Sequence, residues 1–304
     1  MRQRGRETNP VRRLARPRSA FGALAVALWL ASGATHPALA QNASAPGASP
    51  APSTESASPA QPAPTAPALE PKAIDILKAT SQKLASARTL AFTAVSTYER
   101  AARNGQPLYY SSIHEVTVAR PDKLRVITPG DGTPDEFYYD GKTMMAYVPS
   151  SNVVAVADAP PTIDKLLDEA WEKAAIYFPF SDVLASDPYA ELSKTLKSAF
   201  YVGRSIAVGG VPTDMIALAG DEVAAEVWIG IGDHLPRQVR VVYANEPAHA
   251  RYQTVFSDWR LNVPVTPATF TNPKALKAEH IDFAPPGDAT APPEVNQPPA
   301  EKKP

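Results

Sequence analysis

The chain has 304 residues, a formal net charge of −1 and no cysteine. A net charge near zero gives no overall electrostatic attraction toward nucleic acid or anionic membranes. The lack of cysteine excludes disulfides, thiolate metal sites, cysteine nucleophiles and a lipidated N-terminal cysteine. In an exported chain of this length, it favours a bacterial periplasm over a eukaryotic secretory route.

Residues 1–40 have the layout of a secretory signal peptide. Four arginines between positions 12 and 18 precede an apolar run over residues 21–31, and the small residues Ala38-Leu39-Ala40 close the segment. A charged start, a short apolar stretch and an A-x-A end mark an exported precursor. The apolar run is shorter than the roughly 18 residues that a membrane span needs. We therefore expect cleavage after Ala40 and release into the periplasm, with an uncleaved inner-membrane anchor as the alternative.

Both ends of the mature chain are rich in proline. Residues 41–71 are mostly Ala, Pro and Ser, and residues 284–304 repeat this character. Such segments bury too little apolar surface to offset their chain entropy, so both are expected to be disordered. The intervening residues 72–283 have the length of one folded domain.

The folded part begins with a helical pattern and then changes to a strand pattern. Apolar residues in the stretch 72–88 recur at helical spacing, which predicts an amphipathic helix. Runs of β-branched and aromatic residues follow, and Asn104-Gly105 and Asp140-Gly141 predict tight hairpins between them. The predicted strands cover residues 92–99, 108–119, 123–128, 136–139, 143–148 and 153–157.

A helical insertion interrupts the strands. Residues 162–175 place apolar side chains on one stripe, and a proline-broken apolar stretch over 176–180 precedes two short helices over 181–185 and 188–196. Strand patterns then resume over residues 200–208, 213–218, 223–229, 237–243 and 251–261. This order predicts an α+β fold with a large, strongly curved antiparallel sheet, whose open mouth the helices are free to cap.

Several short motifs resemble the LolA/LolB superfamily of periplasmic lipoprotein carriers. ARPDKLRV at 119–126 is similar to a strand entry of that superfamily, and FYYDGKT at 137–143 with YVP at 147–149 is similar to one of its hairpins. Other motifs are closer to one branch, an uncharacterised family of predicted periplasmic proteins with a domain of unknown function. These motifs are YVG at 201–203, GGVP at 209–212, LPR at 235–237 and DW at 258–259.

The resemblance implies a half-open antiparallel β-barrel over residues 72–283, with an N-terminal helix and a helical insertion as a lid over an apolar cavity. In such carriers the cavity shields acyl chains from water, and each buried methylene contributes ~0.8 kcal/mol. No residue here matches a docking or lid-latching position of the carriers, so the resemblance implies no particular partner.

Aromatic and apolar side chains are the candidates for lining this cavity. The segment Phe178-Pro179-Phe180 is the best candidate for a lid element, because a proline-broken apolar loop is awkward to bury in a sheet and costly to expose. For each candidate, packing in an ordinary core is the alternative. The candidate ligand-binding residues are Tyr110, Phe137, Tyr139, Met144, Tyr147, Trp171, Phe178, Phe180 and Trp228.

The sequence contains no catalytic or metal-binding pattern that stands out. His114 and Glu115 are neighbours in a predicted strand, so their side chains point to opposite faces. His234, His249 and His280 fall in a turn, in a loop and near the domain end, and neither a zinc-type H-x-x-x-H spacing nor a G-x-S-x-G elbow is present. The carboxylates interpreted as solvated turn and helix charges are Asp131, Asp135, Glu136, Asp158, Asp164, Asp168 and Glu169. We expect no catalytic residue, no metal and no cofactor.

Three cations alternate with apolar residues near one predicted strand. Arg120, Lys123 and Arg125 are interpreted as solvated charges at a sheet edge, where they discourage association between sheets. Contact with lipid head groups or with an acidic partner is the alternative.

The sequence therefore favours a periplasmic, non-enzymatic carrier or chaperone that binds a lipid or acylated, lipoprotein-like ligand in an apolar cavity. The alternative is a regulatory or protein-interaction module that acts on an envelope protein, because a periplasmic sensor domain acting on an anti-sigma factor shares the superfamily's fold. The expected partners are a lipid or acyl chain and inner- or outer-membrane envelope proteins. We expect a monomer that binds no nucleic acid.

Overall fold

A computed structural model describes residues 69–102, 104–130, 132–243 and 251–285. The predicted signal peptide and most of both proline-rich tails lie outside these ranges. Helix α1 spans Pro71–Ser86 and begins with proline, which costs no hydrogen bond in the first turn. Within the described residues, no helix is long and apolar enough to cross a membrane.

Twelve strands form one open sheet. In chain order they are β1 (Thr89–Ala101), β2 (Pro107–Ala119), β3 (Lys123–Thr128), β4 (Asp135–Tyr139), β5 (Thr143–Val148), β6 (Val153–Asp158), β7 (Ser198–Ser205), β8 (Thr213–Ala219), β9 (Val223–Gly230), β10 (Pro236–Tyr243), β11 (Arg251–Leu261) and β12 (Glu279–Ile281). Across the sheet the order is β12-β6-β5-β4-β3-β2-β1-β11-β10-β9-β8-β7. All pairs are antiparallel except β12 with β6. The predicted α+β fold with a large antiparallel sheet is confirmed, and the sheet stays open.

Three helices form the insertion between β6 and β7, as predicted. They are α2 (Ile163–Ala174), α3 (Ser181–Leu184) and α4 (Pro188–Ser193). The Thr162 hydroxyl accepts the backbone N–H of Lys165 at the start of α2, and the Asp187 carboxylate accepts that of Ala190 at the start of α4. These side-chain caps satisfy N–H groups that a helix start leaves without a partner.

The helices cover one face of the sheet, which we call the inner face. Phe92 of β1, Val116 of β2 and Phe256 of β11 lie on it and pack against Leu84 of α1 and Leu166 of α2 in the largest apolar core. A second core lies under α1 and α4 at the β7–β9 end. Its fully or nearly buried members are Ala73, Leu77, Ala199, Ile216, Leu218, Ala225 and Ile229.

The opposite, outer face is covered near β4–β6 by the chain's C-terminal part. Two 3-10 turns, Pro267–Phe270 and Ala275–Lys277, lead into β12, which extends the sheet beside β6. The Asn272 amide donates a hydrogen bond of 2.7 Å to Glu136 Oε2 and so ties this segment to β4. The apolar contacts of this third cluster join Ala275 and Ala278 to Tyr138, Met145, Tyr147 and Val154.

The folded part begins slightly before the predicted boundary at residue 72. Leu69 forms a bridge with Ala199 of β7, and the Glu70 N–H donates to the Ala199 carbonyl at 2.8 Å. The Glu70 carboxylate accepts the backbone N–H of Tyr201 at 2.7 Å. The last residues of the predicted linker therefore pair with the outermost strand β7.

The interpretation of the cations near β3 as sheet-edge charges was wrong. Strand β3 lies between β2 and β4, so it is an interior strand. Lys123 donates to the carbonyl of Asp140 at 2.9 Å, across the hairpin. Arg120 is half-buried and contacts the helical insertion. The sequence of one strand does not show whether that strand lies at the edge of the sheet, because this depends on which strands pair with it.

Candidate functional site

An aromatic plug from the insertion occupies the centre of the inner face. Phe178 and Phe180 lie in the irregular segment between α2 and α3, yet Phe180 is only 1% exposed. The Phe180 ring lies 5.7 Å from Phe92 and 5.3 Å from His114, and Phe178 lies 5.0 Å from Phe137. The insertion's own aromatic side chains therefore cover this apolar part of the inner face.

Three further predicted residues line the inner face beside this plug. Phe137 and Tyr139 of β4 and Met144 of β5 are buried in the same core. The Tyr139 hydroxyl donates to the carbonyl of Pro160 at 2.5 Å, just before α2. Burial, together with the nearby Asp122 and Asp140 charges, raises the pKa of Tyr139 to about 12, so it stays a neutral donor.

Side chains on β2, β1 and β11 form three aligned rows across the inner face. A first row of mixed character adjoins the apolar core, a hydroxyl row comes next, and a tyrosine row follows. In the order β2, β1, β11 the rows are His114, Ala94 and Phe256; Ser112, Ser96 and Thr254; and Tyr110, Tyr98 and Tyr252. The inner face therefore passes from apolar to polar along these strands.

Hydrogen bonds connect the hydroxyl and tyrosine rows to the insertion. Ser96 Oγ lies 3.0 Å from Thr254 Oγ1, and both side chains are fully buried. The Tyr252 hydroxyl donates to the backbone carbonyl of Pro179 and also contacts Thr254 Oγ1. Thr254 itself reaches the Pro179 carbonyl at 3.5 Å. A main-chain carbonyl of the plug is thus held by the two polar rows.

His114 is the centre of a hydrogen-bond relay. The Thr128 hydroxyl donates to Asp135 Oδ1 at 3.2 Å, so with Asp135 ionised it accepts from His114 Nδ1, also at 3.2 Å. The remaining ring nitrogen, Nε2, then accepts the Ser112 hydroxyl at 2.8 Å. Burial lowers the pKa of His114 to about 4. The inner face therefore presents a neutral imidazole at physiological pH.

Arg120 joins the sheet to α3, the short helix that follows the plug. Its Nη1 atom donates to the carbonyl of Leu184, the last residue of α3, at 2.8 Å. Burial lowers the pKa of Arg120, and the nearby Asp164 carboxylate opposes this shift. Cationic groups at the carbonyl end of a helix interact favourably with its unpaired acceptors. This contact anchors the insertion over the inner face.

The structure separates the remaining predicted residues from this region. Tyr147 lies on the outer face in the C-terminal cluster. Trp228 is also on that face, where it pairs with Gln238 and Met215 and where Arg240 lies 5.1 Å from the Trp228 ring. Two others lie at the margins of the inner face. Tyr110 is 39% exposed in the tyrosine row, and Trp171 is half-buried on α2 with its ring 6.4 Å from Tyr177.

Among the described residues, Phe178 and Phe180 fill the part of the inner face that lies against Phe92 and Phe137. A groove of about 880 Å³ lies on the outer face, between β3–β5 and the C-terminal segment. Its lining is mixed, with the charged Arg125, Glu136 and Lys274 beside the rings of Tyr138 and Tyr147. An apolar ligand can contact Phe92 and Phe137 at these positions only if the plug moves.

In the part of the chain that the structure describes, no group of three or more His, Asp or Glu residues is placed to hold a metal ion. His234 has a positive φ of 57° in the turn before β10, and His280 is exposed in β12. Asp131 and His249 lie outside the described residues.

Comparison with solved structures gives weak likenesses. MucB matches with a TM-score of 0.40 and 16% identity over 67% of this chain and 63% of MucB, so the chain spans less than two thirds of that protein. LprF from Mycobacterium bovis matches with a TM-score of 0.42 and 17% identity over 69% of this chain and 99% of LprF. The LolA superfamily protein NE2245 from Nitrosomonas europaea matches with a TM-score of 0.33 and 10% identity over 66% and 97% of the two chains.

The sequence itself identifies the family. None of the curated proteins matches the chain. One family model, described as "Predicted periplasmic protein (DUF2092)", matches residues 73–284, well over half of the chain and nearly the whole of its described part. The chain therefore belongs to this family of predicted periplasmic proteins.

Proposed function

We propose that this chain is a periplasmic, non-enzymatic binding protein that carries a lipid or acylated ligand on the inner face of its sheet. The observation that carries the proposal is the aromatic plug. An irregular segment between α2 and α3 places Phe178 and Phe180 on the apolar inner face, against Phe92 and Phe137. A short segment of this kind can leave the sheet without unfolding it.

The energetics favour exchange of the plug for an acyl chain. Exposing Phe178 and Phe180 costs about 1.5–3 kcal/mol for each side chain. A buried chain of sixteen carbons contributes about 0.8 kcal/mol for each methylene, on the order of 10 kcal/mol in total. The gross gain therefore exceeds the cost of exposing the two rings, and the surplus is available to offset the hydrogen bonds that the Pro179 carbonyl loses and the entropy of binding.

Native mass spectrometry of the mature protein, purified from its own periplasm, tests this function. We expect a co-purifying lipid or acyl mass that solvent extraction removes and that added lipid restores. A protein that is free of lipid as purified and takes up none when lipid is offered contradicts the carrier function.

A protein-interaction module is the second candidate, and one observation favours it. Phe200 and Val202 of β7 and the following Ile206 are 51%, 48% and 70% exposed, respectively. Exposed apolar groups that lie close together mark interaction surfaces more often than isolated ones do. Under this alternative, the wild-type protein captures an envelope protein. The Val202→Lys variant should no longer capture it, whereas the Phe180→Leu variant should still do so. Capture that is unaffected by Val202→Lys contradicts a role for this surface.

A further inference from the structure

The plug offers the inner face both an apolar group and a carbonyl group. Phe180 packs on Phe92 next to the first row, while the neighbouring Pro179 carbonyl is held by Tyr252 and Thr254. We propose that the plug imitates the ligand: the natural ligand places an ester or amide carbonyl where Pro179 has its own, and an acyl chain where Phe180 lies. This inference rests on the proposed carrier function and adds the chemical class and the orientation of the ligand.

The hydroxyl and tyrosine rows are suited to a carbonyl acceptor. Ser96 and Thr254 are fully buried, and Tyr252 is 7% exposed. When a ligand replaces the plug, the hydroxyls of Tyr252 and Thr254 lose the Pro179 carbonyl as their shared acceptor, while the ligand keeps water away. An unsatisfied buried donor is costly, so a ligand that supplies a replacement acceptor is favoured over one that does not.

The order of the rows fixes the direction of the ligand. The core beyond the first row is made of apolar side chains such as Phe92 and Val116, whereas Tyr110 in the tyrosine row is 39% exposed. The acyl chain therefore points toward Phe92, the carbonyl lies at the hydroxyl row, and the polar end leaves between the tyrosines. Tyrosine suits such a boundary because one end of its side chain is apolar and the other is polar.

The charges of the rows favour an uncharged linkage over a free carboxylate. None of the row residues is Lys or Arg, and the one histidine, His114, is neutral because burial disfavours its charged form. An ionised carboxylate placed at the hydroxyl row would find no cationic partner among the row residues, which is expensive in a desolvated site. The rows therefore select esters and amides over free fatty acids.

A matched pair of probes tests the inference directly. 1-Monopalmitoylglycerol and its ether analogue 1-O-hexadecylglycerol differ in the carbonyl and share chain length and head group. We expect the wild-type protein to bind the ester about five- to tenfold more tightly, the ratio that one net hydrogen bond supplies. We expect the ratio to fall to within about twofold in Tyr252→Phe and in Thr254→Val. The ratio of the two affinities is informative even if these substitutions loosen the plug, because a looser plug changes the affinity for both probes by the same factor.

Tyr109→Phe is the matched control, because Tyr109 lies on β2 with its hydroxyl 3.1 Å from Glu99 and is 67% exposed. It should keep the wild-type ratio. Equal binding of ester and ether by the wild type overturns the carbonyl inference while leaving the carrier function intact. A preference for the ester that survives both Tyr252→Phe and Thr254→Val overturns it as well. Failure of both probes to bind overturns the carrier function together with the inference.

Discussion

Arg120 and Leu184 connect the two parts of the molecule whose separation the proposed function requires. Arg120 follows β2 directly, and Leu184 ends the short helix behind the aromatic plug. The guanidinium Nη1 donates to the Leu184 carbonyl at 2.8 Å. Among the described residues, the Nε and Nη2 atoms of Arg120 are buried without a hydrogen-bond partner. Arg120 therefore makes one defined hydrogen bond to α3, while two of its buried nitrogen atoms have no acceptor in the described part of the chain.

Arg120→Met should loosen the plug with little effect on the whole fold. Methionine keeps the apolar stem and removes a partly unsatisfied buried charge, so we expect overall stability to change by less than about 1 kcal/mol. The Leu184 carbonyl loses its donor, which should raise amide hydrogen exchange in residues 181–186 about five- to tenfold. Hydrogen-exchange mass spectrometry at neutral pH measures this, with Lys123→Met as control. Equal exchange of this segment in both variants would contradict the anchoring role.

His114 should make the protein less stable in mild acid. Its folded pKa of about 4 lies below the ordinary value of 6.5, so the unfolded chain binds more protons between these values. Stability is therefore fully present above about pH 6.5 and is lost as pH falls toward 4. We expect this residue alone to remove about 2 kcal/mol between pH 7.5 and pH 5.

The measurement for His114 is urea unfolding of wild type and His114→Gln at both pH values. Desolvation raises the pKa of Asp135, which shifts stability in the opposite sense, but both proteins carry that carboxyl group. The difference between the two proteins therefore isolates the histidine. If the wild type and the variant lose stability in parallel as pH falls, His114 is not buried in its neutral form.

Phe180→Leu should increase the stabilisation that a ligand gives. The smaller side chain weakens packing on Phe92, and we expect the ligand-free protein to lose about 1–2 kcal/mol. A ligand that replaces the plug no longer competes with the full aromatic ring, so its binding should raise the melting temperature more in the variant than in the wild type. Thermal scans with and without 1-monopalmitoylglycerol compare the two. A smaller ligand-induced shift in Phe180→Leu would show that Phe180 contacts the ligand instead of yielding to it.

Asn272→Ala should release the C-terminal segment from the outer face. Both the Asn272 amide and the Tyr138 hydroxyl donate to Glu136 Oε2 at 2.7 Å, and the substitution removes one of these donors. We expect a stability loss of about 1–2 kcal/mol and faster tryptic cleavage after Lys274. Gln253→Ala, which removes only an exposed contact with Arg240, serves as control. Equal cleavage rates in the two variants would argue against this attachment.

The order of elements could be predicted from the sequence because local signals determine it. Asn104-Gly105 and Asp140-Gly141 do lie between the strands that they were expected to connect. The insertion was visible because helical spacing replaces two-residue alternation after β6. The C-terminal cover was missed because the turns around Ala275 are short and β12 has only three residues. Its parallel pairing with β6 is a long-range contact that leaves no local pattern.

The candidate site was only partly predictable for a similar reason. Met144 and Tyr147 are three positions apart in one strand, so alternation alone puts them on opposite faces, as the structure does. The same rule puts Ser112 and His114 on one face. The alignment of Ser112 with Thr254, however, depends on the register of β2, β1 and β11 and appears only in the folded sheet.

Quenching of single tryptophans by a brominated lipid tests the central claim most directly. Trp259 lies 4.5 Å from Phe92 at the inner face, whereas Trp228 lies on the outer face beside Arg240. Variants that keep only one of these, with phenylalanine at the other position and at Trp171, report the two faces separately. Because bromine quenches at short range, a monoacylglycerol brominated in its chain should quench Trp259 strongly and leave Trp228 nearly unchanged. Equal quenching of both, or quenching of Trp228 alone, would contradict ligand binding on the inner face.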